Sequence, residues 1–140
     1  MPDPLVRRRA RERALQFLFG LEFTHYAWED VIDNFWDTRP SRPTVKQYAI
    51  QLIRGVQENL PVLDEQIAAA LQNWSADRVG RVERAILRIA LYEMRHEPDV
   101  PVAVAINEAI ELAKSFGTDD TPRFVNGVLD RLRRTSDESA

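Results

Sequence analysis

The stretch Val82–Met94 constrains the fold more than any other part of the chain. It places Val82, Ala85, Ile86, Leu87, Ile89, Ala90 and Leu91 on most sides of a helix rather than along one stripe. A helix that is apolar nearly all round has no face to give to water, so it belongs at the centre of a helical bundle. The other elements must then supply one-sided helices to cover it. Ala14, Phe17, Leu18 and Leu21 recur at i, i+3, i+4 and i+7 in a first helix over about Pro4–Phe23. Trp28, Val31, Ile32, Phe35 and Trp36 repeat that spacing in a second, over about Ala27–Trp36. Prolines 40 and 43 break the chain, and Thr44 reads as the N-cap of a third helix carrying Val45, Tyr48, Ala49, Leu52, Ile53 and Val56.

Pro61 suits the first turn of a fourth helix, with Leu63, Ile67, Leu71 and Trp74 on its apolar side. Ser75 or Asp77 is the expected cap of the central helix, read over Ala76–His96 and broken after it by Pro98 and Pro101. A sixth helix, Val102–Phe116, ends at Gly117 as a C′ residue. Thr121 caps a seventh with Pro122 at its first position and Phe124, Val125, Val128, Leu129 and Leu132 inward; from Thr135 the polar tail is read as frayed. No segment shows sustained strand alternation and no repeat has a fixed period. The fold class is therefore all-α: a compact bundle of about seven helices in two small sub-bundles, read as one domain over residues 1–140.

Chemistry is sparse. The chain has no cysteine and only two histidines, His25 and His96, neither at metal-binding spacing, so no metal site and no cofactor are expected. Ser41, Ser75 and Ser115 lack a nucleophile-elbow context, and Asp119–Asp120 favour a helix dipole whether or not they do chemistry. The chain reads as a binding protein, not an enzyme. No apolar run is long enough to span a bilayer and no secretory signal opens the chain, which points to no membrane and a cytoplasmic location.

Binding chemistry is concentrated at the start. Five arginines, Arg7, Arg8, Arg9, Arg11 and Arg13, stand against one acid, Glu12, in a chain of net charge −3. Cations at a helix N-terminus oppose its dipole, so a purely structural helix would more comfortably place acids there. The cluster is either a solvated terminus or a phosphate-binding patch, and its cost to the helix favours the patch. Phe124, beside Arg123, is either core or a platform for an unstacked base. Arg81, Arg84 and Arg88 form a second basic stripe, read as a solvated face paired with Glu83. Phe19 reads as core.

Several segments carry a resemblance. Val82-Glu-Arg-Ala-Ile-Leu-Arg-Ile-Ala-Leu-Tyr-Glu-Met94 is followed by Asp99-Val-Pro, Val104-Ala-Ile-Asn-Glu-Ala-Ile-Glu-Leu-Ala-Lys-Ser-Phe-Gly117 and Phe124-Val-Asn-Gly-Val-Leu-Asp130. With Arg7-Arg-Arg-Ala-Arg-Glu12 and Ala14-Leu-Gln16, this resembles the NusB family of transcription antitermination factors. The match is dense over residues 82–130, recurs over 7–19 and is loose between 24 and 75.

The resemblance implies binding of single-stranded boxA-type RNA together with the NusE-type small-subunit ribosomal protein, within the RNA polymerase antitermination complex of ribosomal RNA operons. Carried over by motif, it implies RNA contacts at Arg7, Arg8, Arg9 and Arg11, with a second region at Asp120, Arg123 and Phe124. It implies partner contacts at Phe19 and Glu83. Phe19 stands where a tyrosine is frequent, and Thr121-Pro122 replaces a serine-led turn. Self-association is left open, as are two other readings: the RNA-binding front domain of a ribosomal RNA methyltransferase, and a purely protein-binding module.

Overall fold

The computed structural model describes residues 3–71 and 79–139, with side chains through Thr135. Its elements are α1 (Pro4–Leu21), α2 (Trp28–Thr38), α3 (Pro43–Glu58), α4 (Leu60–Ala70), α5 (Arg81–His96), α6 (Val102–Phe116) and α7 (Thr121–Ser139); there is no strand among the described residues. The expected roles of Trp74, Ser75 and Asp77, and the start of the central helix at Ala76, lie outside the described residues. Val79 and Gly80 are not helical, and α5 begins at Arg81 with Gly80 as N-cap.

As its all-round apolarity requires, α5 lies at the centre, packed against α1, α3, α4, α6 and α7. Ala85, Ile86, Leu87, Ile89, Ala90, Leu91 and Tyr92 are all buried. One sub-bundle is α1–α3, the other α4–α7, and a single apolar cluster runs through both. α2 leans on α1 through an edge-on contact of Phe17 and Phe35, ring centroids 5.2 Å apart.

Helix ends differ from the spacing argument where a stronger local constraint acts. α1 stops at Leu21, and its N-cap is Asp3, whose Oδ1 accepts from the Val6 N–H at 2.9 Å. That carboxylate sits where the dipole is positive and offsets part of the arginine cluster's penalty. α3 starts at Pro43, not after Thr44, because a proline's fixed φ suits the first helical position. α7 continues past Thr135, whose hydroxyl donates to the Arg131 carbonyl at 3.0 Å. Gly117 follows α6 with φ −100° and ψ −168°, an extended conformation open to any residue. Its smallness matters for a different reason: an added Cβ would lie 2.5 Å from the Thr121 side chain.

Gly55 lets α3 approach α5 closely. A Cβ there would fall 2.2 Å from the Tyr92 ring. The Tyr92 hydroxyl donates to Glu97 Oε1 at 3.1 Å, and burial, followed by the Glu97 charge, pushes its pKa up to about 12. Gly55→Ala should therefore lower stability by about 1–3 kcal/mol in urea titration, through overpacking rather than helix propensity. Because the folded Tyr92 holds its proton above the ordinary value of 10.0, stability is fully present below pH 10 and falls as pH rises toward 12. Tyr92→Phe should flatten that alkaline decline, measured as melting temperature against pH.

Candidate nucleic-acid interface

Successive residues of an α-helix point about 100° apart, so five arginines within seven positions cannot share one environment. Arg11 stands at i of the i, i+3, i+4, i+7 stripe completed by Ala14, Leu15 and Leu18, and it points into the core. Its side chain is 3% exposed, and its Nε donates to Glu93 Oε1 at 2.8 Å and Oε2 at 3.1 Å. Glu93 is as deeply buried and also accepts from the Tyr48 hydroxyl at 2.6 Å. Burial, then the neighbouring Glu93 charge, drives the Tyr48 pKa far above its usual value, so this phenol stays a donor. Arg11 is thus a structural ion-pair partner, which corrects its expected place among the RNA contacts. The sequence did hold the signal: Arg11 opens the apolar stripe.

The rest of the cluster is accessible to different degrees. Arg9 is 63% exposed, with Glu12 beside it at 3.7 Å. Arg8 is 50% exposed and meets Glu108 through two bonds of 3.0 and 3.1 Å. Those hydrogen bonds, and then the Glu108 charge, raise its pKa further, so it is a permanent cation. Arg7 turns the other way and lies over the Tyr48 ring, 5.4 Å from the centroid, with a buried Nε that has no hydrogen-bond partner. Arg13 binds neutral groups, Ser41 Oγ at 3.2 Å and Gln16 Oε1 at 3.0 Å, which leaves its charge uncompensated. With Arg8, Arg9 and Arg42 it lines a cleft of about 440 Å³. Arg42 was missed in the sequence reading. It is distant in sequence from the cluster, and only the fold of the Pro40–Pro43 loop brings it alongside.

The second region gathers at the turn into α7. Asp120 and Arg123 are exposed, and Phe124 is half-buried, packed against the edge of the core. Its ring is held by the core while part of its surface reaches solvent. The Thr121 hydroxyl accepts from the Thr118 N–H at 2.9 Å and donates to Glu83 Oε1 at 3.1 Å, tying this turn to the start of α5.

Phe19 and Glu83, far apart in sequence, line one shallow cleft of about 390 Å³ with Phe23, Val82, Phe116 and Thr118. Phe19 is half-buried rather than core, and it meets Phe23 edge-on at 5.3 Å. Phe23, 60% exposed, was another omission, because α1 ends before it and it falls off the helical stripe. Arg81 lies over the Phe23 ring at 4.6 Å and beside Glu22 at 3.4 Å. Arg88 makes bonds of 2.8 and 2.9 Å to Asp64 and one of 2.9 Å to Glu22. Arg81 and Arg88 of the basic stripe thus clamp α5 to α1 and α4, and their carboxylates are Glu22 and Asp64 instead of Glu83.

Among the described residues no cluster of histidine, aspartate or glutamate could hold a metal, and no helix is long and apolar enough to cross a membrane. Fold and surfaces together describe an all-helical binding module, with accessible cations at one end of α1 and an apolar groove at the other. The chain belongs to the NusB family, which matches residues 8–134. It is 45% identical over 135 residues to the transcription antitermination protein NusB of Bacillus subtilis, covering 96% of this chain and 100% of that one. The NusB of Sorangium cellulosum is 42% identical over 127 residues, 91% of each chain. The solved structure of T. maritima NusB superposes with a TM-score of 0.83 at 39% identity, covering 96% of this chain and 93% of that one. A complex of antitermination factors NusB and NusE with double-stranded RNA shares the fold, with a TM-score of 0.84 at 22% identity over 95% of this chain and 99% of that one.

Arg11→Ala should cost about 3–5 kcal/mol in denaturant titration, because it strands the buried Glu93 carboxylate. Arg8→Ala with Arg9→Ala should leave stability nearly unchanged and flatten the salt dependence of RNA binding by about 1.4 log units per log unit of salt, twice the single-strand value per phosphate of roughly 0.7. An unchanged slope would remove both residues from the phosphate contacts.

Proposed function

We propose that this chain is a transcription antitermination factor that binds single-stranded boxA-type RNA jointly with the NusE-type small-subunit ribosomal protein. Acting in the cytoplasm and without catalysis, the pair assists RNA polymerase past terminators, chiefly in ribosomal RNA operons. The observation that carries this reading is the separation of two accessible surfaces on a chain of the NusB family. Arg8, Arg9 and Arg42 present positive charge at the start of α1, and Phe19, Phe23 and Val82 present an apolar groove near its end.

Each surface has its own task. The arginines neutralise phosphates and set register while carrying little sequence information. Phe124, with Asp120 and Arg123, holds an unstacked base by stacking and polar contact, which supplies selectivity. The groove takes an apolar patch of the protein partner, with Glu83 at its rim. A net charge of −3 keeps the RNA grip weak in isolation, so joint binding with the partner is what makes the complex tight.

The experiment is a gel shift of boxA-type RNA with this protein, with and without the NusE-type protein. A weak shift alone and a strong one with the partner is expected; no shift under either condition would leave a purely protein-binding module. Phe124→Ala should reduce the preference for the proper sequence by roughly tenfold or more while keeping the helical circular dichroism, since stacking contributes about 1–3 kcal/mol per base. Loss of fold in that variant would restore a purely core role for Phe124.

A further inference from the structure

The cationic residues in the second half of α7 divide into two groups. Arg133 and Arg134 are both held by Asp130, at 2.7 and 2.8 Å. Arg131 has no ion pair or side-chain hydrogen bond among the described residues. It lines a cleft of about 370 Å³ between the ends of α4, α5 and α7, together with Arg95, Gln66 and Leu132. Arg95 donates from Nη2 to the Leu132 carbonyl at 3.3 Å, which points its guanidinium along the cleft wall. Gln66 Oε1 is buried in the same region with no hydrogen-bond partner. Elsewhere in the fold, Arg8, Arg11 and Arg88 all answer to carboxylates. Arg95 and Arg131 face one cavity with none.

We propose that this cleft is a further RNA subsite, taking the phosphate of one nucleotide on Arg95 and Arg131 and its 2′-hydroxyl on Gln66 Oε1. Two cations beside one orphaned acceptor call for a ligand that combines an anion with a nearby hydroxyl donor, and a ribose-phosphate unit has that pairing where deoxyribose does not. Its position fits a continuing strand. Arg131 follows Phe124 by seven residues, so both fall on nearly the same face of α7, about 10 Å apart along the axis. A strand stacked on Phe124 and led along α7 arrives at the cleft. The proposal rests on the RNA-binding reading above and lengthens its track beyond the residues that the family resemblance implies.

The test uses the intact protein with its NusE-type partner and three sets of RNA probes. These are a minimal boxA-type RNA, the same RNA extended by uridines at its 5′ or its 3′ end, and the extended RNAs with 2′-deoxy sugars in the extension. An extension at one end should tighten binding, and that gain should fall roughly 2.6-fold between 50 and 200 mM salt, as one neutralised phosphate requires. R95Q with R131Q should abolish the gain while binding the minimal RNA as the unaltered protein does. R131Q alone, which removes no side-chain bond among the described residues, should reduce the gain without abolishing it. Deoxy sugars should weaken the extended probe with the unaltered protein and make no difference with Q66L. A gain that survives R95Q with R131Q, or one indifferent to the deoxy sugar, would overturn the subsite. So would R131Q weakening the protein partner's binding in the absence of RNA, since the cleft would then be a protein contact. Failure of the minimal RNA to bind at all would instead sink the RNA-binding function itself.

Discussion

Arg11 can enter the core only because Glu93 and Tyr48 are there to meet it. An unpaired guanidinium buried among Ala14, Leu15 and Leu18 would be prohibitively costly, and so would a lone carboxylate on the central helix of the fold. Together they join α1, α3 and α5 by three bonds of 2.6 to 3.1 Å in a space that admits no water-facing alternative. A buried pair of this kind is weak evidence for net stability, because its attraction is largely offset by desolvation. What it supplies is specificity. Only one rotation of α1 about its axis brings Arg11 to Glu93.

That rotation decides what the rest of the cluster does. Arg9 lies about 200° from Arg11 around the helix and is the most exposed of the three, at 63%. Arg8 lies about 60° from it on one side, reaches 50% exposure, and still finds Glu108 on α6. Arg7 lies about 40° away on the other side and stays close enough to the core to cover Tyr48. One charge is consumed by the fold so that its neighbours are presented outward in fixed order. The Arg8–Glu108 contact holds the guanidinium extended at a half-exposed site, and under the proposed function an incoming phosphate would exchange one anion for another there. Little conformational entropy remains to be lost on binding.

The helices were legible because their signal is local. The all-round apolarity of Val82–Met94 identified the central element, and three- and four-residue spacing identified the faces that cover it. The errors fall where a single local interaction outweighs the average, as with Pro43 taking the first helical position ahead of Thr44. The cluster was legible as charge but not as geometry. Arg11 could have been separated by its register with Ala14, Leu15 and Leu18, whereas Glu108 opposite Arg8 and Arg42 beside Arg13 depend on tertiary placement that no spacing reveals. Phe19 and Glu83 came from family likeness alone, since nothing in either residue's neighbourhood announces the other. Gly117 was chosen correctly for the wrong reason: the requirement is room for Thr121, not a left-handed backbone.

The corner where α6 turns into α7 couples the two proposed surfaces. Thr118 lines the apolar groove, and Asp120, Arg123 and Phe124 follow within six residues. Between them, Thr121 is held by the Thr118 N–H on one side and by Glu83 on the other, and Gly117 gives it the space to sit there. A partner docking in the groove covers Glu83 and Thr118, excluding water from the bonds that fix Thr121. A hydrogen bond to a charged group gains strength when it is withdrawn from water, so docking stiffens the turn from which Phe124 projects. The opening arginines are outside this corner, and their attraction for phosphate does not depend on it. Under the proposed function, charge at the start of α1 would therefore act whether or not the partner is present, while selectivity at Phe124 would sharpen when the groove is filled. That division accounts physically for how a net acidic chain with a modest cationic patch serves as half of a joint RNA-binding unit.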